Sequence, residues 1–390
     1  MVYTQDLTGC FEGAVDKTAL NALQTFRTAY KEGRLAPLSL AEETEDIKVY
    51  QEAAKLFTGV EDILILGTGG SSLGGKTLYA LSKQSKPRLH FLDNIDPTTF
   101  KALFDKIDIN NTSILAISKS GSTVETLMQL LVCLEHFGKQ PQVVVITEPT
   151  PNTLRGLAQT HDWPCFDHPT NVGGRYSAFS IVGLLPMILA GLDPYAFRKG
   201  ASEVLQQTLN SECPPALEGA VAASLKSLTV MMPYADQLDS FSLWYRQLWA
   251  ESVGKDGKGT TPIKALGTVD QHSQLQLYLD GPKDKFFTLL TTGWEGVGTP
   301  IKSHLIPEFT GKTMGDLFAA EQKATYQTLI RNQCPTRLIT LDRIDEHSMG
   351  ALMMHFMIET ILASYLLGVN AFDQPAVEEG KRLAREYLAA

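Results

Sequence analysis

Cysteine is scarce and dispersed. Cys10, Cys133, Cys165, Cys213 and Cys334 are odd in number and never spaced as C-x-x-C, which excludes a disulfide framework and a zinc knuckle and predicts reduced, mostly buried thiols. Positive charge is in short supply too: 34 Lys and Arg face 43 Asp and Glu, a net charge of −9. No broad cationic face for nucleic acid is expected, although a local basic pocket for a small anion remains compatible. No run of about 18 apolar residues marks a membrane span; 181–192 comes nearest. Residues 1–17 carry no basic patch ahead of an apolar run, so a secretory signal is not expected and a cytoplasmic location is. His347 and His355 miss the i, i+4 register of a helical metal pair, and no other cluster has ligand spacing, so neither a metal nor a cofactor is expected.

Apolar residues make up 44% of the 390 and charged residues 20%, which excludes a disordered chain and supplies material for buried cores. At about 150 residues per domain, the length fits roughly two to three domains. Residues 13–60 set Leu20, Leu23, Phe26 and Tyr30 at helical spacing. Short β-branched runs follow. Those at 63–66, 89–92, 113–117 and 143–147 predict buried parallel strands joined by helical crossovers. A second set at 228–232, 286–291 and 338–341 is interleaved with helices at 241–253, 314–331 and 349–367. A last helix is expected over 375–388, with Pro375 in its first turn. Met349, Met353, Met354 and Met357 fit core packing on a helix. The helical stretch 177–192 and the Pro-containing break 210–215 separate two halves. The expected fold is α/β, two tandem units with mainly parallel sheets, divided as 1–212 and 213–390.

Two turns stand out. Gly67-Thr-Gly-Gly-Ser-Ser-Leu-Gly-Gly75 follows a strand and opens a helix, where glycines admit an anion close to the free N–H groups of a helix start. Ser72 breaks the G-x-G-x-x-G dinucleotide pattern, but Gly70, Gly75, Lys76 and Thr77 satisfy G-x-x-x-x-G-K-[ST], so a P-loop stays open as an alternative. A purely structural turn is another. Residues 67–69, extra to a P-loop, weigh against that reading. Ser118-Lys-Ser-Gly-Ser-Thr-Val-Glu-Thr126 also follows a strand and opens a helix. Ser118, Ser120, Ser122 and Thr123 around Gly121 suit a phosphate monoester; N-capping accounts for one hydroxyl, not for four. Turns at the carboxyl ends of neighbouring parallel strands share one crevice, where open α/β sheets bind ligands.

Together these turns resemble the sugar isomerase (SIS) phosphosugar-binding fold, and with the downstream segments the chain resembles the phosphoglucose isomerase family. Asn171-Val-Gly-Gly-Arg-Tyr-Ser177 is similar to the family's arginine loop and Gln247-Leu-Trp-Ala-Glu-Ser-Val-Gly-Lys255 to its glutamate segment. Gly267-Thr-Val-Asp-Gln-His-Ser273 is similar to its histidine segment and Asp373-Gln-Pro-Ala-Val-Glu-Glu-Gly-Lys381 to its C-terminal lysine segment. The matches run in family order across 60–385. The chain is shorter than the family's long members, and Pro375 follows Gln374 where those usually carry an aromatic residue.

The resemblance implies two SIS-type α-β-α sandwiches and reversible isomerisation of D-glucose 6-phosphate and D-fructose 6-phosphate. It implies ring opening and an enediolate intermediate, without a cofactor, as a step of glycolysis and gluconeogenesis. Glu251 would be the base that carries a proton between C2 and C1, and Arg175 the cation beside the enediolate oxygens. His272, reaching the site from the partner subunit of a homodimer, and Lys381 would open the ring. Substrate and phosphate contacts would come from Gly70, Ser71, Ser118, Lys119, Ser120, Thr123, Gln247 and Gln374.

The residues read by themselves leave alternatives. Glu251 lies among Leu248, Trp249 and Val253, where partial desolvation suits a general base; a solvent-facing helix carboxylate fits as well. Arg175 follows two glycines that leave room for a ligand beside a permanent charge, or it serves a structural ion pair. His272 equally fits a hydrogen-bonded structural role and Lys381 a solvated helix face, and Lys255 competes with Lys381. A P-loop NTPase or kinase and a non-catalytic phosphosugar-binding protein are the other function classes. Glu251, Arg175, His272 and Lys381 discriminate, because a binding module needs no acid–base set.

Overall fold

The structure, a computed structural model, describes residues 2–10, 15–138 and 141–389. Residues 13 and 14, at the start of the helical stretch expected over 13–60, lie outside them. Strand β1 (Tyr3–Gly9) comes first, followed by helices Lys17–Lys31 and Glu45–Lys55. The first sheet is then built from β2 (Asp62–Leu66), β3 (Arg88–Leu92), β4 (Thr112–Ile117), β5 (Gln142–Thr147) and β6 (Cys165–Asp167). Its order is β3-β2-β4-β5-β6, and every pairing is parallel. β2 and β4 bury every residue, which is why they carry apolar runs with little alternation: both sheet faces are covered. Leu66 pairs with Leu92 on one side and Ala116 on the other. From β2 the chain steps outward to β3 and then crosses to β4 on the other side of β2, so the turns after β2 and β4 flank the switch point.

The second sheet contains β7 (Leu228–Pro233), β8 (Thr261–Lys264), β9 (Lys285–Thr291) and β10 (Thr336–Leu341), ordered β1-β10-β9-β7-β8. Its pairings are parallel except at the edge, where β1 runs antiparallel to β10 with Tyr3 opposite Leu341. Residues 3–9, expected in the first unit, thus complete the second sheet. The sequence YTQDLTG is buried only at its two ends, as suits an edge strand, and has no apolar run to announce it. The division expected between 212 and 213 falls in the turn between helices Pro194–Asn210 and Pro215–Ser224.

Helix Glu346–Leu367 is the axis of the core. Met349, Met353, Met354 and Met357 are buried on it, as expected. It is long and apolar enough to cross a membrane, more so than 181–192, yet most of it lies inside the protein. Its apolar residues wrap all round because Pro194–Asn210, Pro215–Ser224 and Asp239–Val253 pack against it. His355 is buried between the Tyr3 hydroxyl (2.7 Å) and Glu359 (3.0 Å), a structural role. All five cysteines are free; Cys133 and Cys334 are buried and Cys213 is exposed.

Helix Asp239–Val253 packs on both that axis and helix Leu73–Tyr79, which follows β2. It buries Phe241, Trp244, Tyr245, Leu248, Trp249 and Val253. This spacing leaves Gln247 and Glu251, four residues apart, together on one less buried face.

Candidate active site

The first glycine turn is shaped by what lies against it. A Cβ on Gly70 would sit 2.1 Å from the carbonyl carbon of Gly174, so only glycine lets the arginine loop close onto the turn. Gly69 has φ +56°, and a Cβ there would meet Gln247 Nε2 at 2.7 Å. Ser71 ends the short 3₁₀ turn Gly69–Ser71. The glycines therefore bring two segments far away in sequence to one place.

The P-loop alternative does not survive. The helix starts at Leu73, so Gly74 to Thr77 lie within it. Thr77 is fully buried, and its hydroxyl donates to the carbonyls of Leu73 (2.8 Å) and Ser240 (3.1 Å). Lys76 Nζ donates to Asp93 Oδ2 at 2.8 Å instead of folding over the loop. A part-exposed pair of this kind contributes roughly 0–1 kcal/mol. Lys76→Ala is expected to keep turnover close to the parent's and to lower thermal stability only slightly. Complete loss of turnover, together with ATP hydrolysis by the parent, would reinstate the P-loop.

The second turn has hydroxyls that capping does not consume. Thr123 occupies the N-cap of helix Val124–Phe137, yet its side chain makes no capping hydrogen bond; it accepts one from Ser118 Oγ at 2.9 Å. Ser120 Oγ receives the Ser122 backbone N–H (3.3 Å) and hydroxyl (3.2 Å). The helix start thus presents N–H groups and hydroxyls at its positive end, an arrangement suited to a phosphate dianion. The Lys119 ammonium turns aside to the Thr170 carbonyl (3.1 Å) and Glu148 (3.5 Å).

Arg175 lies in the 3₁₀ segment Gly174–Phe179 and is 4% exposed. Its Nε donates to Ser252 Oγ at 2.9 Å, and one terminal nitrogen donates to the carbonyls of Ala371 (2.6 Å) and Asp373 (2.9 Å). The other reaches Gln374 Oε1 at 3.0 Å and Glu251 Oε2 at 3.4 Å. Gln247 Nε2 donates to the remaining Glu251 oxygen at 3.0 Å. Arg175, Gln247, Glu251 and Gln374, all expected at the site, are therefore joined in one network. Burial pushes the neighbouring Tyr176 phenol up to about 12; it stays protonated against Ser252 Oγ, 2.9 Å away. Burial, and then the charge of Arg175, pushes the Lys255 ammonium down. Ser252, Tyr176 and the Lys255–Asp373 pair were not expected at the site. Ser252 and Tyr176 adjoin Glu251 and Arg175 in sequence, which was the available signal.

Two expected residues stand elsewhere in the chain. His272 is exposed and lines a cavity of about 640 Å³ with Trp294, Met314, Phe318 and Glu321. Lys381 is exposed and pairs with Glu378 of its own helix at 2.7 Å. Neither makes a hydrogen bond or ion pair with Glu251 or Arg175 among the described residues. The helix carrying Lys381, Glu378–Ala389, does reach the second turn, where Arg385 donates to the Ser122 carbonyl at 3.4 Å.

The chain matches the phosphoglucose isomerase family model over residues 39–281. It is 38% identical over 355 residues to a glucose-6-phosphate isomerase of Rubrobacter xylanophilus, covering 83% of this chain and 82% of that one. Among solved structures it is similar to a hypothetical protein from Thermus thermophilus, with a TM-score of 0.91, 33% identity and full coverage of both chains. The fold alone is shared with a glucose-6-phosphate isomerase from Chlamydia trachomatis, at a TM-score of 0.82 and 20% identity over 100% of this chain and 88% of that one.

Proposed function

The chain belongs to the phosphoglucose isomerase family and reversibly isomerises D-glucose 6-phosphate and D-fructose 6-phosphate, and from this premise we propose that the crevice holding Arg175 and Glu251 is its active site. The observation that carries this reading is the ionic contact of Arg175 with Glu251, in one network with Gln247 and Gln374. Ring opening exposes the C1 aldehyde or C2 ketone. Glu251 then takes the proton from one carbon and returns it to the other, and the enediolate between them carries negative charge on oxygen. A fixed guanidinium offsets that charge most effectively where water is excluded, and Arg175 is buried. Gln247 orients the Glu251 carboxylate and Gln374 the guanidinium. Electrons stay within the substrate, so the steps assigned to these side chains are proton transfers, and the reaction is shared by glycolysis and gluconeogenesis in a cytoplasmic setting. Fructose 6-phosphate supplied alone, without ATP, should be converted to glucose 6-phosphate until equilibrium; no conversion would refute the assignment.

The phosphate is assigned to Ser118, Ser120 and Thr123 with the backbone of Gly70, Ser71 and Lys119. Hydrogen bonds to a charged group contribute roughly 1.5–3 kcal/mol each. Ser118→Ala with Thr123→Ala should therefore raise KM at least about tenfold, with a smaller change in kcat. An unchanged KM in initial-rate kinetics would move the phosphate elsewhere.

His272 and Lys381 are assigned to ring opening, His272 from a partner copy in a homodimer. Support for a covered surface around His272 comes from its apolar rim: Val269 is 61% exposed, Met314 82% and Leu317 51%. The two SIS-type units are divided near 212, with Tyr3–Gly9 counted in the second.

A further inference from the structure

Lys255 lies two residues past the end of the Glu251 helix, where it opens the turn closed by its bridge to Lys258. Its side chain is 9% exposed, and the ammonium has three N–H donors to place. Two reach backbone carbonyls of that helix's last turn, Glu251 O at 2.7 Å and Ser252 O at 2.9 Å. There a cation also complements the helix dipole. The third faces Asp373 Oδ1 at 3.5 Å, across a gap to a different element.

That element is the strap 368–374, which leaves the core helix at Gly368 and ends at Gln374. Arg175 holds it through the carbonyls of Ala371 and Asp373 and the Gln374 side chain. The Asp373 carboxylate is steadied by Asn370 Nδ2 at 3.0 Å, and the ring of Phe372 lies 5.2 Å from that of Tyr176. Arg175 thus grips the strap by its backbone, and Lys255 grips it by charge.

We infer that Lys255 is a positioning residue, whose ammonium locks the end of the Glu251 helix to Asp373 so that base, guanidinium and Gln374 keep one geometry. The inference rests on Glu251 acting as the base. Lys255 also sets the charge balance there. The charged groups acting on this corner are Arg175 from the 3₁₀ segment, Glu251 and Lys255 from the helix and its end, and Asp373 from the strap. Without Lys255, the corner around Glu251 carries one positive charge fewer. Without the Asp373 charge, it carries one negative charge fewer.

The test is the pH profile of kcat/KM for Lys255→Gln, Asp373→Asn and the double variant. Lys255→Gln should lower kcat about tenfold with KM within about twofold, and raise the acid limb by roughly half to one pH unit. Asp373→Asn should move the acid limb down, and the double variant should return it near the parent position. Lys255→Arg, which keeps the charge, should leave that limb in place. A merely structural lysine would give no opposed shifts. Should Lys255→Gln not fold, Asp373→Asn decides the matter, since the Asp373 side chain is 52% exposed. Acid limbs that coincide in all folded variants, while Glu251→Gln is inactive, would overturn the inference and leave the base assignment standing. An active Glu251→Gln would overturn the base assignment itself.

Discussion

Glu251→Gln should lower kcat by about 10²–10⁴-fold, the range a positioned general base supplies, and leave KM within a small factor. The substitution keeps the shape of the side chain: its one carbonyl oxygen can still accept from the Arg175 guanidinium, and the new NH2 faces Gln247, whose amide can turn its oxygen to accept. It removes the carboxylate proposed to accept the carbon-bound proton. In the proposed assignment the phosphate is held by another element, the turn after β4, so substrate affinity should survive. Because Glu251 is half-buried on a helix fixed by Phe241, Trp244 and Leu248, the variant should also melt close to the parent. A variant with undiminished kcat would mean that another residue moves the proton.

Mixing subunits should produce the second large effect, a gain. His272→Ala and Glu251→Gln homodimers are each expected to be nearly inactive. In a C₂ dimer whose sites take Glu251 and Arg175 from one chain and His272 from the other, a mixed dimer has one doubly damaged site and one intact site. Random exchange of equal amounts makes half of the dimers mixed, each with one good site of two, so activity should return to about a quarter of the parent level. The motivation is geometric: His272 sits in its own cavity with an exposed apolar rim, outside the network of Glu251 and Arg175. No recovery, with mixed dimers demonstrated by mass spectrometry, would mean that His272 serves its own chain or does not open the ring. A fully active monomer would contradict the shared site directly.

The parallel strands were legible because burial on both faces leaves little but apolar residues, as in Asp62–Leu66 and Thr112–Ile117. β1, β6 and β8 were not. β1 is a polar edge, β6 has three residues, and β8 has four with a proline among them. Gly70 was legible as a glycine but not for its reason, since Gly174 is a neighbour only in space. The same holds for the network around Arg175. Arg175 meets Glu251 across 76 residues and Gln374 across 199, separations that residue spacing cannot encode; the order of several motifs together pointed to them. Lys255 was noticed only as a competitor of Lys381. Its partner Asp373 becomes visible once the strap folds back over the base helix.

The most direct measurement is hydrogen exchange during turnover. Fructose 6-phosphate is incubated with the protein in D₂O, without ATP, and C2 of the glucose 6-phosphate formed is followed by proton NMR. The parent should form product and place deuterium at C2, and Glu251→Gln should lose turnover and incorporation in parallel. Product forming, or deuterium entering C2, at the parent rate in Glu251→Gln would contradict proton transfer by Glu251 through an enediolate.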